Sequence, residues 1–244
     1  MNIKSILTLF FLQFALTGII KAQTQEKTEI VSDTTTSQPI VEAVPIEQDI
    51  IIGPQFWKPR NLDITNYQDG TPITYAETEA DWKNACTRGE GCWCYIKNKN
   101  PNKRKQDTTG LSVYGKLYNW YALNTLSHGG IAPVGYHVPN KAEWLALIKF
   151  CGEEVAGMKL KSLDYWENIK TNSNALKFAA QPAGYREPDG KYNKNDKLNC
   201  GYWTSSKSED EESAYLFIFD SYLPILMPKC QNKGYGYSIR CIKD

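Results

Sequence analysis

Hydrophobic and polar positions follow several different rules along this chain. From Asn140 onward the rule is helical. Trp144, Leu145, Leu147, Ile148 and Cys151 recur at helical spacing, Asn140 and Glu143 form a capping-box pair ahead of them, and Gly152 supplies the stop. A second helix is predicted over Gly115–Thr125, with Leu117, Trp120, Tyr121 and Asn124 on related faces. Two later stretches read as strands. Ala214–Phe219 is an apolar and aromatic run, and Tyr235–Ile242 alternates around Tyr237, Ile239 and Cys241. Glycine pairs and prolines between these elements mark loops. Two helices, several short antiparallel strands and long irregular loops predict an α+β domain.

The N-terminal part is patterned differently. Lys4 precedes an apolar run from Ile6 to Ile20, and Ala22 offers a small residue ahead of a cleavage point. That is the layout of a secretory signal peptide, and the run is short of the roughly 20 apolar residues a membrane span needs. Residues 23–53 open with a long Thr-, Gln-, Glu- and Ser-rich stretch, too polar to offset its own ordering entropy, and read as a flexible low-complexity linker. The expected organisation is therefore a signal peptide over 1–22, a linker over 23–53 and one domain over 54–244. The expected location is secreted or periplasmic, with no membrane span after cleavage. No cysteine precedes Cys86, which argues against a lipoprotein anchor.

Charge narrows the partners. The chain has 28 basic and 27 acidic residues, and a balance so near zero argues against nucleic acid, which needs a concentrated basic surface. The island Lys97–Lys105 is interrupted by Asn and Pro and reads as a solvated loop. The acidic run Glu209–Glu212 reads the same way, and is a secondary calcium candidate only if the backbone folds several of its carboxylates inward.

Five strings then stand out in order: YGKLYNWYALN (Tyr114–Asn124), PVGYHVPNKAEW (Pro133–Trp144), PAGYR (Pro182–Arg186), YWTSS (Tyr202–Ser206) and GYSIRCIKD (Gly236–Asp244). With QFWKPRNLDITNYQDGTPI (Gln55–Ile73) ahead of them, the chain resembles the Fibrobacter succinogenes major paralogous domain family over residues 54–244. The resemblance implies an exported bacterial domain with a C-type-lectin-like fold, grouped also with sulfatase-modifying-factor-like proteins. Relatives often carry Cys immediately before the Pro that is Pro133 here, where this chain has Ala132. If that cysteine bridges to the C-terminal strand in relatives, Cys241 lacks its usual partner.

Seven cysteines in an exported chain point to disulfides, and the odd number leaves at least one thiol over. Cys92 and Cys94 are too close to pair readily with each other. A zinc site at Cys86, Cys92 and Cys94 is disfavoured, since no histidine lies near and no CxxC occurs. Cys151 reads as a buried free thiol.

Catalysis has little support. His137 is the reasonable general base, and its place before Pro139 and a helix start suggests that it satisfies backbone groups there. The serines Ser205 and Ser206 lack a nucleophile elbow. No catalytic residue is assigned, and an enzyme with a sulfatase-modifying-factor-like fold is the third reading.

Binding is easier to motivate. The candidate ligand-binding residues are Tyr185, Arg186, Glu187, Asp189 and Trp203. A Tyr-Arg pair offers a stacking face and a fork of donors, with pinning of a loop to a backbone carbonyl as the structural alternative for Arg186. Glu187-Pro188-Asp189 resembles half of the calcium signature of sugar-binding C-type lectins. Thr204 and Ser205 stand where that signature needs an amide and a carboxylate, and a plain Pro-Asp-Gly turn competes with it. Glu187 and Asp189 are thus the calcium candidates, and no metal or cofactor is assigned. The expected function is non-catalytic recognition, of a glycan first by fold analogy. The alternative is a cell-envelope protein partner, in a structural or assembly role.

Overall fold

Gly53 turns the chain between two three-residue strands, β1 (Ile50–Ile52) and β2 (Gln55–Trp57), which pair antiparallel with Ile51 opposite Phe56. The computed structural model describes residues 47–96, 114–123, 126–168, 170, 172–193 and 198–244. The expected signal peptide, most of the linker and the basic island lie outside the described residues. Short segments follow: β3 (Thr74–Tyr75), α1 (Glu79–Arg88), β4 (Cys92–Tyr95), β5 (Lys116–Asn119), 3₁₀ turns over Trp120–Leu123 and Leu126–His128, and β6 (Tyr136–His137). Then come α2 (Lys141–Cys151), α3 (Ala156–Leu160), β7 (Asn199–Lys207), β8 (Ser213–Asp220), β9 (Met227–Asn232), β10 (Gly236–Tyr237) and β11 (Ile242–Lys243). Mixed helices and sheets make this an α+β fold.

Among the described residues the strands form three sheets. One runs β1-β2-β11-β6, so the strand at Ile242–Lys243 pairs with the one at Gln55–Trp57; a second runs β10-β5-β4-β3; the third is the meander β7-β8-β9. The meander explains the apolar run predicted over Ala214–Phe219. Cys200, Tyr202, Phe217 and Phe219 face one hydrophobic core, whereas Trp203, Ala214 and Leu216 face another. β8 is buried on both faces and therefore lacks the polar alternation of a one-sided strand. The first core packs Trp57, Trp144, Phe178 and Tyr202 in tilted and edge-on contacts, with Trp57 and Trp144 ring centroids 5.0 Å apart.

The helix predicted from Asn140 forms as expected. Asn140 Oδ1 accepts from Glu143 N at 3.0 Å, Glu143 Oε2 accepts from Asn140 N at 2.7 Å, and Trp144, Leu147, Ile148 and Cys151 are its buried face. The helix predicted over Gly115–Thr125 does not form. Gly115 sits at φ +70, all four residues of β5 are buried between β4 and β10, and only a 3₁₀ turn follows. Strand pairing on both sides overrides a short helical spacing. The helix α1 was not legible, because only Trp82 and Ala85 are buried on it. Its signal was the Thr78–Asp81 capping box, with Asp where Glu or Gln is usual. The strand predicted over Tyr235–Ile242 is broken into β10 and β11, in two different sheets.

Candidate functional site

Gly236 decides where this region can show side chains. Its N–H donates to Arg186 O at 2.8 Å and its carbonyl accepts from Arg186 N at 3.0 Å, so the two residues are antiparallel partners. A Cβ at Gly236 would lie 2.7 Å from the Trp82 ring. Arg186 and Gly236 therefore share the inner face, against Trp82. Side chains alternate along both segments, which turns Tyr185 and Glu187 to the opposite face, beside Tyr235 and Tyr237 from the other strand.

The result is a tyrosine platform. Tyr185 and Tyr237 have centroids 5.6 Å apart, Tyr185 and Tyr235 5.9 Å, and Tyr235 and Tyr237 stack at 6.0 Å. Tyr185, Tyr235 and Glu187 are partly exposed, whereas Tyr237 is buried beneath them, over the space that Gly201 leaves open. Asn193 fixes the backbone of Tyr185, its Oδ1 accepting from Tyr185 N at 2.9 Å. Burial, and then the Glu187 charge and the Tyr235 ring beside it, raise the pKa of Tyr185; burial likewise raises that of Tyr237. Both phenols stay protonated and able to donate.

Of the residues expected at a ligand site, Tyr185 and Glu187 are on this face and three are elsewhere. Arg186 is fully buried. Its guanidinium donates to the carbonyls of Ala76 (2.7 Å), Thr78 (2.8 Å) and Gly190 (2.8 Å), between Trp82 and Tyr192, so the loop-pinning alternative is the one realised. Trp203 is also fully buried. Its indole N–H donates to Tyr118 O at 3.0 Å and its ring meets Tyr237 edge-on at 5.2 Å, so it supports the platform from below. Asp189 is exposed but committed to a turn, accepting from Lys191 N at 3.0 Å and pairing with Lys191 Nζ at 2.5 Å. The Lys191 ammonium holds its carboxyl below the usual range. Sequence reasoning missed Tyr235 and the grouping of the three rings. The alternation around Tyr237 was the available signal.

The half-complete calcium signature is not assembled. Thr204 is buried with its hydroxyl on Tyr215 O at 2.8 Å, Asp189 is held by Lys191, and no trio of His, Cys, Asp or Glu is grouped for a metal among the described residues.

The His137 ring meets carboxylates where backbone groups were expected. Its Nδ1 lies 2.8 Å from Asp244 Oδ1 and its Nε2 2.8 Å from Glu143 Oε1, so both ring nitrogens are taken by carboxylates. Partial burial lowers its pKa, the two carboxylates raise it, and the net shift is upward. Ser206 Oγ accepts from Lys141 N at 3.0 Å and thereby serves the start of α2. Two grooves lie apart from the tyrosine face. One of about 480 Å³ is lined by Arg60, Tyr165, Gln181 and Arg240 among others, and one of about 230 Å³ by Lys58, Leu62, Ile64 and Pro133 among others. All seven cysteines are free thiols, against the expected disulfides.

Residues 50–243 match the family described as Fibrobacter succinogenes major domain. No curated protein and no solved structure matches the chain.

Proposed function

The chain belongs to the Fibrobacter succinogenes major domain family, and from that premise we propose that it is a non-catalytic recognition module that binds carbohydrate on the tyrosine face. The observation that carries this reading is the grouping of Tyr185, Tyr235 and Tyr237 within 6.0 Å of one another, edged by Glu187. A sugar ring has apolar C–H faces that pack on aromatic rings, and hydroxyls that pair with carboxylates, amides and phenols. Platforms that join a few rigid aromatics to a few placed polar groups bind on that principle. A C-type-lectin-like fold and an exported location, both implied by the resemblance, accord with this reading.

The direct test is a glycan and polysaccharide screen of the purified protein, in calcium and then in chelator. The expected outcome is binding that survives chelator and falls at least tenfold in Tyr185→Ala and Tyr235→Ala, with Asp189→Ala unchanged. Tenfold corresponds to about 1.4 kcal/mol, within the range of one stacking contact. Failure of the whole panel would remove the carbohydrate reading.

A second reading, contact with a cell-envelope protein, is favoured by apolar side chains around β1 and β2. Ile51 is 62% exposed, Phe56 42% and Phe150 56%, and the Phe150 ring packs at the Gly53 turn. That reading predicts partner association weakened by Phe56→Ser and insensitive to Tyr185→Ala.

A further inference from the structure

The turn after α1 brings two thiols together. Gly89 ends the helix in the left-handed conformation (φ 65), with its N–H on the carbonyls of Ala85 and Cys86, and Glu90 N donates to Ala85 O at 2.9 Å. The chain reverses there, and Gly91 passes Ala122 so closely that a Cβ would sit 2.7 Å from Ala122 Cα. Cys92, the first residue of β4, is thereby returned to the last turn of α1, where it and Cys86 sit against the same Asn119 side chain. Asn119 holds both. Its Oδ1 accepts from Cys92 N at 2.9 Å, and its Nδ2 lies 4.0 Å from Cys86 Sγ. Cys86 Sγ also lies 3.2 Å from Gly234 O.

We propose that Cys86 and Cys92 are a redox pair, closed to a disulfide by a small-molecule disulfide such as oxidised glutathione. The exposures divide the roles. Cys86 is partly exposed and Cys92 is buried, so an outside reagent meets Cys86. The Cys92 thiol, the Asn119 amide and the Arg186 charge favour the Cys86 thiolate, while burial opposes it. In the first step the Cys86 thiolate attacks one sulfur of the reagent and breaks its S–S bond, releasing one glutathione thiolate. In the second, Cys92 gives up its proton and attacks the Cys86 sulfur of the mixed disulfide, releasing the second glutathione. Two protein thiols lose two electrons and two protons, and the reagent becomes two thiols. The second step is internal, so burial of Cys92 does not block it. Cys94, two residues along the same strand, is the competing partner; it is fully buried, and that burial raises its thiol pKa.

The test uses the full chain, reduced, equilibrated with oxidised glutathione, denatured, alkylated and cut with trypsin. Cleavage after Lys83, Arg88 and Lys97 puts Cys86 on one peptide and Cys92 with Cys94 on the next. The expected result is peptide 84–88 linked to peptide 89–97 through Cys92, with Cys94 alkylated and the count of seven free thiols lowered by two. The link should persist in Cys94→Ser and vanish in Cys92→Ser, which should instead retain glutathione on Cys86. All seven thiols alkylated after oxidation would overturn the proposal, and so would a link from Cys86 to any cysteine other than Cys92. The wild-type and Cys94→Ser maps decide the question even where Cys92→Ser does not fold.

Discussion

Arg186 donates to the backbone carbonyls of Ala76, Thr78 and Gly190, with its charge between Trp82 and Tyr192. Lys161 does the same for Asp220, Ser221 and Leu223, and Arg240 for Lys58, Pro59 and Phe178 together with the Asn61 side chain. Buried carbonyls outside regular structure need donors, and one cation supplies several. Truncation therefore leaves several acceptors unpaired at once, each at about 1–3 kcal/mol. Arg186→Ala should lose about 3 kcal/mol or more, read as a shift of the urea midpoint at unchanged slope. Arg186→Lys should recover only part of it, since a single ammonium cannot span the fork. The sequence named Arg186 as chemically notable, and its residue type was informative. Whether its donors met a ligand or the chain's own loops depended on Ala76 and Thr78, over a hundred positions away.

At the scale of elements, His137 on β6 ties the first turn of α2, through Glu143, to Asp244 beyond β11. Its pKa is raised above the usual 6.5, burial opposing and the two carboxylates prevailing. A base with a raised native pKa contributes stability that is fully present below its unfolded value. That stability is lost as pH rises through the native value. Melting temperature should therefore fall as pH is taken from about 6 to 8.5, and His137→Gln should flatten that part of the profile. A wild-type profile as flat as the variant's would count against the latch. The capping box at Asn140 was readable because capping is local, confined to four consecutive residues. The latch was not, since it joins residues 107 apart in the sequence. For the same reason Gly115–Thr125 misled: its spacing was compatible with a helix, and the strands flanking it came from distant segments.

For the whole molecule the central object is the β7–β8 pair, which serves as the wall of both hydrophobic cores. A shared wall couples the cores, so residues 47–244 should unfold in one cooperative step. Near-ultraviolet circular dichroism and tryptophan fluorescence should give coincident thermal curves, and separated curves would show that the cores melt independently. The sequence by itself determined the family, the mixed α+β class, the capped helix after Asn140 and the apolar strand over Ala214–Phe219. These rest on short-range patterns that hold wherever the segment is placed. It also placed Tyr185 and Glu187 among the candidate ligand residues. Only the tertiary structure decided that Arg186 and Trp203 turn inward, that Tyr235 and Tyr237 complete a platform, and that Cys86 meets Cys92. Each of those depends on which segment packs opposite. With Trp82 filling the space above Gly236, alternation along two paired segments had one way left to present its tyrosines.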